Sequence, residues 1–201
     1  MSTLSHAADA PRVPVISDAF ASSRVRTALL VLGGALFTAL MAQIVIPMQP
    51  VPMTGQTLAV MLVGSALGAK RGMAALTLYA LMGLMLPVYA EGNSGIDVIW
   101  GASGGYIIGF IFAAAAVGWL AEHGTDRRFV TAFLSFVVGQ LIIFAFGLAG
   151  LKLALGMSWA DTIHAGFTVF ILGGLVKAAV GALLMPTAWK IAEKRQSSEN
   201  G

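Results

Sequence analysis

Phe129-Val-Thr-Ala-Phe-Leu-Ser-Phe-Val-Val-Gly-Gln-Leu-Ile-Ile-Phe-Ala-Phe-Gly-Leu-Ala-Gly-Leu-Lys-Leu-Ala-Leu155 decides the fold class. The run holds one charged residue, Lys152, close to its end. It exceeds the roughly 20 apolar residues with which a helix spans a bilayer. In hydrocarbon every backbone polar group needs a partner within the segment, so a run of this kind is a spanning helix. The rest of the chain agrees. Of its 201 residues, 58% are hydrophobic and 10% charged, and the mean hydropathy is +0.86. A soluble domain carries about 25% charged residues. There is too little charge here to cover a water-facing surface, and the chain reads as an integral membrane protein.

Working outward from this run, further apolar stretches cover Arg26–Ile46, Gln56–Gly68, Gly72–Tyr89, Gly104–Leu120 and Ala165–Trp189. The spacing predicts an all-α bundle of six helices over residues 25–189, its second span short. Tails occupy residues 1–24 and 190–201. Residues 1–20 are polar with scattered prolines and do not read as a signal peptide. The basic residues test the count independently. Arg12, Arg24 and Arg26 precede span one, Lys70 and Arg71 separate spans two and three, Arg127 and Arg128 separate four and five, and Lys190, Lys194 and Arg195 follow six. Ten of the twelve Lys and Arg thus fall on one side, which the positive-inside rule assigns to the cytoplasm together with both termini. Trp100, Trp119, Trp159 and Trp189 fall near span ends, as an aromatic belt requires.

Most enzyme chemistries have no support. The chain has no cysteine, and His6, His123 and His164 are scattered without metal-ligand spacing. Gly64-Ser-Ala-Leu-Gly-Ala-Lys70 lacks the spacing and the hydroxyl of a phosphate loop, and neither an H-E-x-x-H nor a G-x-S-x-G motif occurs. No carboxylate sits mid-span. The net charge of +3 is dispersed and forms no basic face, so nucleic acid is excluded as a partner. The expectation is a non-enzyme with no metal and no cofactor.

One ionisable residue does lie inside a span. Lys177 stands 12 residues from both Ala165 and Trp189, about 18 Å of helix on either side. A lysine stem cannot reach water over that distance, so its ammonium meets protein, water or ligand inside the bundle. It is either neutral or satisfied by backbone carbonyls and water, or it is a cation awaiting an anionic substrate. Two loops open on the same outer side. The first, Ile46–Thr54, is denied a helix by Pro47, Pro50 and Pro52; the second, Ala90–Ser103, carries Gly92, Gly95 and Gly101. Irregular backbone at membrane depth is tolerated where it lines a cavity or is buried in protein. With Lys177 these loops outline an outward-opening, loop-capped pocket. Small residues at helical spacing, Ala35 with Ala39, Gly64 with Gly68 and Gly147 with Gly150, allow close helix approach either within the bundle or to a partner.

Several stretches carry a resemblance: Pro50-Val-Pro-Met-Thr-Gly-Gln-Thr-Leu-Ala-Val60, Gly68-Ala-Lys-Arg-Gly72, Gly83-Leu-Met-Leu-Pro-Val-Tyr-Ala90, Gly92-Asn-Ser-Gly95, Gly104-Gly-Tyr-Ile-Ile-Gly-Phe110 and Gly173-Gly-Leu-Val-Lys-Ala-Ala179. In this order and spacing the chain resembles the BioY family, the biotin-binding S components of energy-coupling factor transporters. The resemblance implies a subunit of the bacterial cell membrane that captures biotin, or a similar small carboxylate, from outside. Uptake is then energised by a transmembrane coupling subunit and two ATPase subunits, which use the ATP. It implies Asn93 against the ureido ring and Lys177 against the carboxylate, with Gln56, Tyr89 and Tyr106 as pocket lining. It implies Ala35 and Ala39 as the contact with the coupling subunit. The family commonly carries an aspartate where this chain has Gly174. An S component for another anionic vitamin, a solitary facilitator and a structural subunit without ligand are the alternative readings.

Overall fold

A computed structural model of the chain describes residues 14–19 and 23–199. Arg12 lies outside the described residues, as do residues 1–13, 20–22, 200 and 201 and the side chains of Lys194 and Arg195. Eight α-helices follow in order: α1 (Arg24–Ala42), α2 (Gln56–Leu67), α3 (Ala69–Gly83), α4 (Ile96–Trp100), α5 (Gly104–Ala121), α6 (Phe129–Leu155), α7 (Trp159–Gly166) and α8 (Ile171–Glu199). Six of them, α1, α2, α3, α5, α6 and α8, form the membrane bundle. The stretches covering α1, α5, α6 and α7 with α8 are long and apolar enough to cross a membrane. The second span is short as expected, at 12 residues.

Two of the helices start at a serine cap. Ser23 caps α1 by accepting from the Arg26 N–H at 3.2 Å, and Ser158 caps α7 by accepting from the Asp161 N–H at 3.2 Å; both satisfy donors left open in a first turn. Between α1 and α2 the proline-rich stretch makes a minimal hairpin, β1 (Val45–Ile46) antiparallel to β2 (Met53–Thr54), with Val45 opposite Thr54 and Ile46 opposite Met53.

α5 is the most enclosed of the long helices and packs against α2, α3 and α6. The small residues explain how. A Cβ on Gly105 would stand 2.9 Å from the Gly150 Cα, and one on Gly64 would stand 2.7 Å from the Ala114 carbonyl oxygen. Each pair brings two backbones into contact, the packing that associates helices in lipid. The outer faces show the complementary pattern, with Leu29, Leu40, Val130 and Leu172 all more than half exposed. Soluble monomers rarely present so much apolar surface; on membrane-spanning helices such a face suits lipid.

Two expected span bounds are corrected. The third helix ends at Gly83, not Tyr89, because the Tyr89 ring folds back onto the Gly83 Cα, where no Cβ could fit. The sixth apolar stretch is broken near Phe167: α7 ends at Gly166, a 3-10 turn covers Thr168–Phe170, and α8 starts at Ile171. The Gly166 carbonyl is held instead by the Tyr106 hydroxyl at 2.8 Å. Ala35 and Ala39 face inward. They are 0% and 8% exposed and belong to the core cluster, so the pair packs α1 onto the bundle, while Leu36 and Leu40 beside them on the same helix stay exposed.

The basic loops collect at one end of the bundle. Arg71 pairs with Asp18, the Arg127 guanidinium lies 4.0 Å over the Trp189 ring and donates to the Pro14 carbonyl, and the Trp189 indole N–H donates to Asp126 at 2.6 Å. Trp100, Trp119 and Trp159 are exposed at helix ends, whereas Trp189 is turned into this cluster. Val15 and Ser17, in the expected N-terminal tail, are buried against the same end.

Candidate functional site

The opposite end holds a cavity of about 450 Å³, within the range of small-molecule sites. Its walls come from the hairpin loop and the start of α2, the loop 89–103, and the facing sides of α5, α6 and α8. The structure brings Gln56, Tyr89, Asn93, Tyr106 and Lys177 together around this one space. Ala35 and Ala39 are not part of it.

Lys177 projects from α8. Its Nζ donates to the Thr54 carbonyl at 2.6 Å, and no ion pair joins it to an acid among the described residues. Thr54 is itself held. Its hydroxyl donates to Gln56 Oε1 at 2.7 Å, and Gln56 Nε2 donates to the Tyr79 hydroxyl at 2.6 Å. The lysine is therefore positioned by a chain that runs from β2 through the first residue of α2 to the middle of α3. A carbonyl dipole accepts one N–H but does not neutralise the charge, so the ammonium keeps capacity for an anion.

The three other lining residues are occupied within the protein. Both amide atoms of Gln56 are engaged as described. The Tyr106 hydroxyl donates to Gly166, and the Tyr89 hydroxyl donates to the Ala80 carbonyl at 2.6 Å. The Tyr89 ring meets Tyr79 edge-on at 5.7 Å, and burial raises its phenol above the ordinary value, which keeps it neutral. These residues shape the wall. Asn93 differs: it is exposed at the mouth, and one N–H donates to the Ala90 carbonyl at 3.0 Å. Its carbonyl oxygen and second N–H have no protein partner among the described residues.

The lining also includes an apolar set, Ile107, Phe110, Ile143, Phe144 and Phe170. Phe144 is fixed edge-on to Phe167 at 4.9 Å. Glu91 and Asp97 line the rim. Such a space suits an amphipathic molecule with a carboxylate at one end, an apolar middle and a hydrogen-bonding head. No group of three metal-ligating side chains occurs among the described residues.

Sequence reasoning passed over four residues of this site. Gln140 on α6 is buried and donates to the Gly174 carbonyl at 2.6 Å, its Oε1 filling the space where a Cβ on Gly174 would stand. A glutamine inside an apolar span was the available signal, because polar side chains at membrane depth need partners. Thr57 lines the cavity, and its hydroxyl is buried without a partner among the described residues. Thr54 contributes a backbone carbonyl, which no side-chain pattern reveals. Gln43, just after α1, bonds the backbone of the loop that carries Asn93.

A family model described as the BioY family matches residues 13–194. "Biotin transporter BioY" of Thermotoga maritima is 38% identical over 164 residues, covering 80% of this chain and 95% of that protein. "Biotin transporter BioY2" of Lactococcus lactis subsp. cremoris is 34% identical over 146 residues, covering 72% and 80%. Among solved structures, the S-component for biotin from an ECF-type ABC transporter superposes with a TM-score of 0.76 over 83% of this chain and 92% of that one. At 23% sequence identity this last likeness concerns the fold.

Proposed function

Because the chain belongs to the BioY family, we propose that it is the membrane subunit that captures biotin from outside for uptake. A separate module, a transmembrane coupling subunit with two ATPase subunits, energises the transport. The chain is not an enzyme, and ATP is used by its partners. The observation that carries this reading is the placement of Lys177 and Asn93 on one cavity whose lining also includes Ile107, Phe110, Ile143, Phe144 and Phe170. A valerate carboxylate meets the ammonium, its methylenes and the fused rings lie along the phenylalanines, and the ureido group reaches Asn93. Each match is of a chemical kind that specific sites use: a charge-assisted bond, apolar burial and an amide pairing.

The gathering of Arg71, Arg127 and Lys190 at the end away from the cavity supports a cytoplasmic position for that end, and with it for both termini. Since the chain has no cysteine, single cysteines report cleanly. Ile96→Cys and Ala160→Cys are expected to label from outside and Thr125→Cys from inside; cytoplasmic labelling at 96 overturns this orientation. The substrate is tested by retention of tritiated biotin on the purified chain. Stoichiometric retention, competed by unlabelled biotin, is expected. No retention, or displacement by an unrelated anionic vitamin at lower concentration, removes biotin as the substrate.

A further inference from the structure

Asn93 sits in a surface segment with turns of its own. The Asn93 carbonyl accepts from the Tyr89 N–H at 3.0 Å, and the Asn93 N–H donates to the Ala90 carbonyl at 3.1 Å. These bonds shape the segment without tying it to the helices around it. Between Tyr89 and Gly95, Glu91 adopts φ 60°, ψ 24°, a left-handed conformation that disfavours a residue with a Cβ and persists only when its surroundings impose it. One side chain brackets this residue. Gln43 Nε2 donates to the Tyr89 carbonyl at 3.0 Å, and Gln43 Oε1 accepts from the Gly92 N–H at 3.1 Å. The same Nε2 donates to the Ala39 carbonyl at 3.2 Å, which anchors the amide on the last turn of α1. The pairing is what a neighbouring β-strand offers, delivered here by a carboxamide from another helix. The segment's other ties to the bundle are at its ends, Tyr89 OH to Ala80 and the Gly95 N–H to the Gly83 carbonyl at 2.8 Å. Between those ends, Gln43 makes the hydrogen bonds from outside the loop among the described residues.

We propose that Gln43 is a positioning residue: it holds the Asn93 loop closed over the cavity and thereby sets the residence time of the bound molecule. The proposal rests on the reading that Asn93 meets the ligand's head group. Its geometric part is independent of any ligand.

The test uses the purified full chain. Without ligand, Gln43→Ala is expected to speed hydrogen exchange across residues 89–95 by about 5- to 10-fold, the effect of losing one to two modest hydrogen bonds. Gln43→Glu keeps the acceptor for Gly92 and loses the donor to Tyr89, so it is expected to fall between. Unchanged exchange in Gln43→Ala overturns the proposal. With tritiated biotin bound, Gln43→Ala is expected to speed dissociation by about 5- to 10-fold when Asn93 is present and to add almost nothing in an Asn93→Ala background. Equal acceleration in both backgrounds shows that Gln43 acts elsewhere and also overturns it. If the wild-type chain retains no biotin, the proposed substrate falls, and the exchange measurement alone decides on Gln43.

Discussion

Lys177 is a cation at membrane depth whose hydrogen bond among the described residues goes to an uncharged carbonyl. Insertion scales put such a charge at roughly 2.5–3.5 kcal/mol, a cost that a bound carboxylate offsets. On the proposed reading, ligand and lysine stabilise one another. A charge-assisted bond of about 1.5–3 kcal/mol makes Lys177→Ala weaken biotin binding roughly 10- to 150-fold. Biotin amide, which lacks the charge, is expected to lose comparable affinity against the wild type and little against the variant. Equal losses in both backgrounds would separate Lys177 from the carboxylate. Gly174 sets a second condition at the same scale. Any side chain there collides with Gln140 Oε1, so Gly174→Ala is expected to weaken binding by forcing the Gln140 amide off the Gly174 carbonyl. Adding Gln140→Ala relieves the overlap and is expected to recover thermal stability, since overpacking typically costs 1–3 kcal/mol. Additive destabilisation in the double variant would show that the two residues do not share this space.

At the scale of elements, composition made the spans legible and tertiary contact decided where they stop. Hydrocarbon permits few alternatives to a helix, so the apolar run from 129 to 155 coincides with α6 to the residue. The ends of α3 and α7 coincide with ring contacts, Tyr89 folding back on Gly83 from six residues on and Tyr106 reaching Gly166 across 60 residues, which periodicity cannot see. The site divides likewise. Lys177 stood out because charge is rare in a span, whereas Gln43 and Thr54 act through backbone bonds across 46 and 123 residues. The Ala35-x-x-x-Ala39 spacing signals close packing but not which neighbour is packed. With both residues in the core, replacing them with leucine is expected to lower Tm by several degrees and to reduce biotin retention along with the folded fraction. Wild-type Tm and retention, with loss of association to the coupling subunit alone, would restore the pair to a docking role.

On the scale of the whole molecule the two ends have opposite characters. One holds the cavity; the other is a sealed cluster in which Asp126 joins the α5–α6 connection to Trp189 on α8. Asp126 is 1% exposed, and its Oδ1 is buried without a partner among the described residues. Burial raises its carboxyl above the ordinary value, against the opposing effects of the Trp189 hydrogen bond and then the Arg127 charge. A carboxyl whose folded pKa is raised binds its proton more tightly in the folded state. It thus contributes stability that is fully present below the unfolded pKa, near 3.8, and lost as pH rises through the folded pKa. At pH 7 the ionised Asp126 detracts from stability. Asp126→Asn retains an acceptor for the Trp189 indole and removes the desolvated charge. Its Tm is expected to exceed that of the wild type by a few degrees at pH 7, with the gain shrinking as pH falls toward 4. Thermal scans of both proteins in the same detergent from pH 4 to pH 8 measure the difference. A gain independent of pH would mean that it does not come from removing the desolvated charge, and a loss at pH 7 would mean that the Arg127 attraction outweighs desolvation.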